Sequence, residues 1–274
     1  MSILVIPRIN VTKFNVLTSQ WLISPMPVYA INMFIHNLQL KTGVICKQVS
    51  IVHHDFQYKA GVGDYYALYF EKQKGAMFID GIDYAYNNSP NPPKTLGSIA
   101  EQPSCLADMT ISLIIDADEI DLDKVNTFLY SAKIAGGNIQ SHQPPRECEF
   151  KDIFKYIKSG FFVEDRQDLI NANENQLEQY VELLYQSGKK DDKIEKDKST
   201  EKPNSWLSST TLGYAKLTKE KPKAGVRNGV EHCFVEPIIG LIQYKSIHNF
   251  RESISDIKFW KYDWINQDVF MCYQ

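Results

Sequence analysis

The sequence lacks the features of a secreted or membrane-spanning protein. None of its apolar runs approaches the ~18 residues that a helix needs to cross a bilayer. The opening residues MSILVIPRIN have neither a charged amino-terminal region nor a long apolar stretch, so we expect no signal peptide. The five cysteines are scattered and form no CxxC pair, which argues against zinc and against a disulfide framework. We therefore expect a cytoplasmic protein with reduced thiols, no bound metal and no membrane partner.

Motifs of the common catalytic sites are also missing. There is no P-loop, no GxGxxG after a strand, no GxSxG and no HExxH. The acidic stretch DADEIDLDK (residues 116–124) lacks the central glycine and the closing glutamate of a calcium loop. We therefore expect no cofactor and favour a binding or scaffolding protein over an enzyme. The formal charge of −3 argues against a free-standing, nonspecific nucleic-acid binder but allows a local basic groove.

What the sequence does contain is a strand–helix–glycine segment over Met109–His142. Alternation in Met109–Ile115 predicts a strand. Asp121 is placed to cap a helix, whose apolar residues recur with helical spacing over Val125–Ala132. We predict that the following pair of glycines ends this helix. Such a turn is either a plain helix cap or a close approach to a phosphate, since its backbone N–H groups are uncovered. The candidate phosphate contacts are Lys133, Gly136, Gly137 and Asn138.

A first strand is predicted over Ile3–Val11. Its residues are apolar on both faces, as in a buried central strand. Pro7 cannot donate to the ladder, so we expect strand pairing to be interrupted near Arg8. Arg8 is then either a surface ion-pair partner or a phosphate or base contact.

A helix over about Val28–Thr42 and a strand over Val49–Lys59 follow. His36 lies beside the apolar face of the helix. The strand carries His53 and His54, which are either surface residues or a candidate general acid or base. A further strand is predicted over Tyr65–Lys74, and a long loop rich in Gly, Pro and Asn over about 75–105.

This order predicts an α+β protein with a ferredoxin-like (RRM-type) domain over 1–145 and an inserted loop. The open face of such a sheet is a common place for single-stranded RNA. Residues 146–274 are predicted to form an α/β extension. Its predicted helices cover about 150–157, 168–186 and 247–258. Its predicted strands cover 160–164 and 206–217, and a charged, solvated loop covers 188–204.

The extension contains the most basic stretch of the chain, which is either a phosphate contact or a basic surface loop. Its candidate residues are Lys219, Lys221, Lys223 and Arg227. Arg146, in the linker before the extension, is a further candidate cation.

Short blocks spread over nearly the whole chain resemble the Csy2 family, the Cas5-type (Cas5f) subunit of subtype I-F CRISPR surveillance (Cascade) complexes. The similar blocks are IPRI (6–9), FIHNL (34–38), MTISLII (109–115), AGGNI (135–139), SGFFVEDRQDLI (159–170), FVEPIIGL (234–241) and the ending VFMCYQ.

The resemblance implies a non-catalytic, RNA-binding subunit with a thumb-like loop at about 80–100. It implies capping of the 5′ handle of the CRISPR RNA and contacts with a Cas7-type backbone subunit and with a large subunit where one is present. On the matching blocks, Arg8, His36, Lys133 and the glycine turn become candidate RNA contacts. Lys133 stands where the family usually has arginine. In a compact variant system that lacks the large subunit, the resemblance instead implies contact with target DNA near the protospacer-adjacent motif.

Two other functions stay open at this point. A repeat-processing endoribonuclease would need His36, His53 or His54 beside a bound phosphate. A purely protein-binding scaffold would not depend on Arg8 or Lys133 for RNA retention.

Overall fold

The computed structural model describes residues 2–62, 68–72, 104–171, 175–188, 205–225 and 229–274. Nearly all of the predicted thumb-like loop (75–105) and of the charged loop (188–204) lies outside these ranges, as does Arg227.

The described residues form thirteen strands and five α-helices. In chain order these are β1 (Ser2–Asn15), α1 (Val28–Thr42), β2 (Ile45–Tyr58), β3 (Ala60–Val62), β4 (Leu68–Phe70), β5 (Leu106–Asp118), α2 (Leu122–Leu129), β6 (Lys133–Ile134), β7 (Gly137–Ser141), β8 (Arg146–Glu149), α3 (Ile153–Tyr156), β9 (Phe161–Asp165), α4 (Asp168–Asn171), α5 (Gln176–Gly188), β10 (Leu207–Lys216), β11 (Val235–Ser246), β12 (Lys261–Trp264) and β13 (Val269–Tyr273).

One 11-stranded sheet organises the protein, and β3 and β4 pair separately. Its strand order is β12-β13-β10-β11-β9-β2-β5-β1-β7-β6, and β8 pairs with β1 beside β7. All of these pairings are antiparallel. The protein is therefore α+β, as predicted. Strands from both sides of residue 145 share this sheet, because β8 pairs with β1 and β9 pairs with β2. The division at residue 145 stays a prediction.

Helix α1 is enclosed by the sheet. Its bounds agree with the prediction, and Gly43 ends it with a φ of 81°, a conformation that glycine adopts without strain. Ile31, Phe34, Ile35 and Leu38 pack in the main core. The same helix contacts β2, β6, β10 and β13, which lie far apart in the strand order. The sheet therefore curls around α1.

The other face of the central strands is covered at one end. Ile3 and Val5 of β1, Ile114 of β5 and Val52 of β2 pack in a second core. The covering residues come from α3 and the residue after it, from β9 and from the chain after β11 (Ile153, Ile157, Phe162, Ile247, Phe250 and Ile257). The expectation of an open sheet face for RNA is therefore wrong for this half of the sheet.

Two of the predicted helices are not formed as predicted. Residues 168–186 hold two helices, α4 and α5, rather than one. Residues 247–258 form only short 3-10 turns, Ile247–Phe250 and Ile254–Asp256. Ile247, Phe250 and Ile257 all turn into the second core, so this segment follows the sheet surface instead of presenting one helical stripe.

The central strand β1 bends at two β-bulges. Its register against β5 shifts between Ile6 and Ile9 and again between Val11 and Phe14, so the predicted interruption near Arg8 is confirmed. Arg8 and Lys13 have φ values of 51° and 55°, which cost about 1 to 2 kcal/mol each for residues with a side chain. Each bulge frees a backbone N–H from the ladder.

Side chains of β5 accept both of these N–H groups. The Arg8 N–H donates to Ser112 Oγ at 2.8 Å, and the Lys13 N–H donates to Asp108 Oδ1 at 2.9 Å. Ser112 is fully buried, and its Oγ also contacts His54 Nε2 at 2.6 Å. The sequence of β5 thus supplies an oxygen opposite each bulge.

We predict that Ser112→Ala destabilises the fold by about 1 to 3 kcal/mol, because it leaves the Arg8 N–H without its acceptor. Denaturant unfolding measures the change. Thr110→Ala is the matched control, since Thr110 lies on the same strand face opposite Asn10, where the register is regular. Equal losses in the two variants would show that the bulge does not depend on Ser112.

Candidate nucleic-acid interface

The glycine pair lies in a β-hairpin rather than at a helix end. Helix α2 starts after Asp121, whose side chain accepts the Lys124 N–H as predicted, but it already ends at Leu129. The strands β6 and β7 then pair through Ile134 and Gly137. Ala135 and Gly136 form the turn, with φ values of 48° and 80°. Positive φ at both central residues is the type I′ arrangement of two-residue hairpins. The prediction that the glycines cap the helix is therefore wrong.

The two glycines have different roles. A Cβ on Gly137 would lie 2.7 Å from the backbone of Phe14, whereas one on Gly136 would meet nothing within 4 Å. Gly137 is needed because β7 crosses close to β1, and Gly136 because its φ is positive. The Asn15 N–H donates to Ala135 O at 2.9 Å, which fixes the turn to the end of β1.

Asn15 joins three segments at this point. Its Oδ1 accepts from the Leu17 N–H at 3.1 Å and from the Cys105 N–H at 3.0 Å. Through its backbone N–H and its side chain, Asn15 therefore joins the turn after β6, the chain after β1 and the entry to β5. Sequence reasoning missed Asn15, because a polar residue at a strand end carries no signal of its long-range partners.

Lys133 and Asn138 face each other across the hairpin and are exposed. Beside Lys133, a groove of about 760 Å³ runs between α1 and α2. It brings Lys41 and Lys124 near the hairpin, together with Asp123. Lys124 is paired with Asp121 at 3.1 Å.

The hairpin turn also lies next to β10. A cavity of about 190 Å³ is lined by Ala135, by Thr18 and Tyr29, and by Thr211 and Tyr214 of β10. Beyond Tyr214 the chain leads into the basic segment, where Lys221 and His232 exchange backbone hydrogen bonds at 2.9 Å. The curl of the sheet thus places the hairpin turn beside the strand that leads into the basic segment.

The basic segment is exposed. Lys219, Lys221 and Lys223 all face solvent, and Lys223 Nζ lies 5.6 Å from the ring centre of Phe234. Lys216 pairs with Glu220 and lies 4.6 Å from the ring centre of Trp264. Cations beside exposed aromatic rings are typical of surfaces that bind single-stranded nucleic acid.

Arg8 lies on the sheet face away from α1. Its side chain is exposed and donates from Nη2 to Ser159 Oγ at 2.9 Å. Arg146 pairs with Val5, and Cys148 after it packs in the second core, so strand alternation places Arg146 on the same face as Arg8. These two arginines are therefore separated by the sheet from the groove beside Lys133.

The three histidines considered for catalysis do not meet. His36 Nδ1 lies 3.0 Å from Tyr262 Oη, between α1 and β12. His53 packs against Tyr244, with 5.3 Å between ring centres, whereas His54 contacts Ser112 on the opposite face. Burial lowers the pKa of both His53 and His54 to about 4, helped at His54 by the positive charge of Arg8. Both rings are therefore neutral at pH 7.

Other chemistry is sparse among the described residues. They include no group of three or more His, Cys, Asp or Glu side chains that could hold a metal ion. The five cysteines are free thiols, and burial raises the pKa of Cys46 and Cys272 to about 12. No helix of the described chain has the length and apolarity needed to cross a membrane.

Comparison with known protein families gives one match over almost the entire chain. The family model described as CRISPR-associated protein (Cas_Csy2) matches residues 4–272. The chain belongs to this family. Csy2 proteins are structural subunits of the Cascade complexes of type I-F CRISPR systems, so the resemblance seen in the sequence is confirmed. A search of curated proteins finds no significant match.

We predict that Gly137→Ala destabilises this Csy2-family chain far more than Gly136→Ala. The methyl group at Gly137 must displace the backbone of β1, whereas the one at Gly136 adds only the cost of a left-handed alanine, about 1 to 2 kcal/mol. Thermal unfolding of the two variants measures the difference. Similar losses would contradict the close crossing of β7 over β1.

We also predict that the stability of the protein falls as the pH drops from about 6.5 to about 4. In this range the unfolded chain binds protons at His53 and His54 that the folded chain does not. Unfolding free energies measured in steps across this range test the slope. His54→Gln should make the slope shallower, and an unchanged slope would contradict the neutral, buried state of His54.

Proposed function

We propose that this chain is a non-catalytic subunit that binds and caps the 5′ handle of the CRISPR RNA in a Cascade complex. Contacts with a Cas7-type backbone subunit, and with a large subunit where one is present, are part of the proposal. The observation that carries it is the common cavity of the β6–β7 turn and β10. The turn of the Lys133 hairpin lies beside the strand that leads to the basic segment, which supports binding of one RNA end by both.

The charges at this end support an RNA ligand. Lys133 and the three lysines of the basic segment are exposed, so they can neutralise phosphates without a large desolvation cost. Gly136 of the turn and the exposed Asn138 of β7 add accessible groups that let a backbone come close. Arg8 and Arg146, on the other sheet face, are proposed as contacts for a neighbouring stretch of the same strand.

We further propose that residues 1–145 form a ferredoxin-like (RRM-type) core. Its four main strands follow the order β2-β5-β1-β7. Helix α1 connects β1 to β2, and α2 connects β5 to the β6–β7 hairpin. This is the strand order and connection pattern of a βαββαβ unit. From β9 onward, the later strands of the sheet extend it from β2.

The arrangement of the histidines supports a repeat-processing nuclease less well. His53 and His54 are buried on opposite faces of β2, and their lowered pKa values make them poor general acids at neutral pH. His36 contacts Tyr262 beside α1 rather than the Lys133 hairpin. The three histidines therefore do not meet at a single position where a phosphate could bind.

The proposal is tested by expressing the tagged chain with its guide RNA and sequencing the RNA that co-purifies. We expect short guide RNAs with an intact 5′ handle. The charge-removing variants Lys133→Ala and Lys221→Ala should each lower RNA retention and reduce its dependence on salt. Lys47→Ala is the control, because Lys47 is an exposed lysine paired with Asp118 at 2.7 Å.

Two results would contradict the proposal. Retention that stays unchanged in the Lys133 and Lys221 variants would point to a purely protein-binding scaffold. Specific cleavage of labelled repeat RNA by the isolated chain, lost on combining His53→Ala with His54→Ala, would establish the nuclease instead.

A further inference from the structure

An exposed tryptophan lies beside the cavity that joins the hairpin turn to β10. Trp21 is 88% exposed, the largest value among the exposed large hydrophobic residues of the described chain. Burial of apolar surface is the main source of folding free energy, so an indole left in water contributes little to this fold. No local sequence pattern selects Trp21, because isolated aromatic residues are common on surfaces.

The turn that carries Trp21 is rigid. Thr18 donates its N–H to Leu22 O at 2.9 Å, and Ser19 Oγ accepts from the Leu22 N–H at 3.2 Å. Leu17 and Ile23 close the turn as an antiparallel bridge. A ligand that contacts the indole therefore orders few additional backbone torsions, which limits the entropic cost of binding.

The same turn is fixed to the proposed interface. Thr211 Oγ1 of β10 donates to Thr18 O at 3.1 Å. Leu17 and Thr18 line the cavity that also contains Ala135 and Tyr214. The turn that carries Trp21 therefore shares a cavity with the glycine turn. It is also hydrogen-bonded to β10, the strand that leads to the basic segment.

Three segments that form this part of the protein carry no negative charge of their own. Residues 15–30, 133–141 and 207–216 contain no aspartate or glutamate, although the whole chain has 33. The cations Lys133 and Lys216 occur within these segments, and Lys219, Lys221 and Lys223 follow. A phosphate backbone that approaches Trp21 therefore meets no repulsion from these segments.

Another exposed apolar stripe provides the contrast. Leu177, Val181 and Tyr185 of α5 are more than half exposed, but Glu178 and Glu182 lie between them. Such a stripe repels phosphate and is better matched to a protein surface. The two exposed apolar surfaces therefore differ in the charge of neighbouring residues, and only that of Trp21 is suited to a phosphate backbone.

We propose that Trp21 stacks on an unpaired base of the single-stranded RNA bound at this end of the protein. The inference rests on the proposed function, which supplies the strand. Stacking of a base on an aromatic side chain changes affinity by about 5- to 150-fold when the ring is removed. Trp21 would then hold the strand through a base, while the lysines hold it through phosphates.

The test measures binding of the full chain to fluorescein-labelled synthetic handle RNA. The parent is compared with Trp21→Ala, Trp21→Phe and the control Trp206→Ala. Trp206 is also exposed and stacks on Phe161 with 5.9 Å between ring centres, but it precedes β10, at the opposite end of that strand from Tyr214. We expect a loss of about 5-fold or more in Trp21→Ala, a smaller loss in Trp21→Phe and none in Trp206→Ala.

A second set of oligonucleotides carries a single abasic site at each handle position in turn. At one position the abasic RNA should bind the parent about 5-fold or more weakly, and this penalty should disappear in Trp21→Ala. Such non-additivity is the signature of a direct contact between the indole and that base. A purely structural role of Trp21 would leave the penalty unchanged.

The outcomes separate the two proposals. If the parent binds handle RNA and Trp21→Ala binds it equally well, the stacking inference fails and the proposed function stands. If Trp21→Ala keeps the RNA but loses co-expressed Cascade subunits, the indole is a protein contact and the inference also fails. If the parent does not bind handle RNA, both proposals fail together.

Discussion

The structure depends on how β5 supports the two bulges of the strand beside it. Arg8 and Lys13 leave the regular ladder with left-handed backbone angles, and each would leave a backbone N–H unpaired. Ser112 and Asp108 accept those N–H groups, so the bend in β1 is stable rather than merely tolerated. Because β1 pairs with β5 on one side and with β7 and β8 on the other, its bends direct both of its neighbours.

The curl of the sheet around α1 decides where a ligand can reach the protein. One face of the central strands encloses the helix, and half of the other face is covered by α3 and the chain after β11. A strand of RNA laid flat across this sheet would have to displace a packed core. The β6–β7 hairpin, which carries Lys133, and β10, which leads to the basic segment, meet where Ala135 and Tyr214 line one cavity.

Local features of this fold could be read from the sequence. The helical spacing of Ile31, Phe34 and Leu38 with Gly43 after them predicted α1, and Pro7 predicted the break at Arg8. The glycine turn could not be assigned, because a helix end and a type I′ hairpin both favour glycine. The deciding factor is the crossing of Gly137 over Phe14, a contact between residues far apart in the chain.

The candidate site was predictable only in part for the same reason. Lys133 and the basic segment were selected by charge and by proximity to glycine, and Csy2 family membership agrees with the blocks that contain IPRI and AGGNI. The approach of the hairpin turn to β10 follows from the curl of the sheet, which no local pattern encodes. Asn15 and Thr211 carry no sequence signal, since their importance lies entirely in the carbonyl and N–H groups they meet.

The contact between β10 and the chain around α1 depends on side chains, and this has a thermodynamic consequence. Between β10 and the chain around α1, the described contacts include Thr210 Oγ1 to Met26 O and Thr211 Oγ1 to Thr18 O rather than a ladder of backbone pairs. Side-chain links of this kind open at a lower free energy than a paired strand. If the RNA of the proposed function bridged the two sides, it would favour their association by mass action.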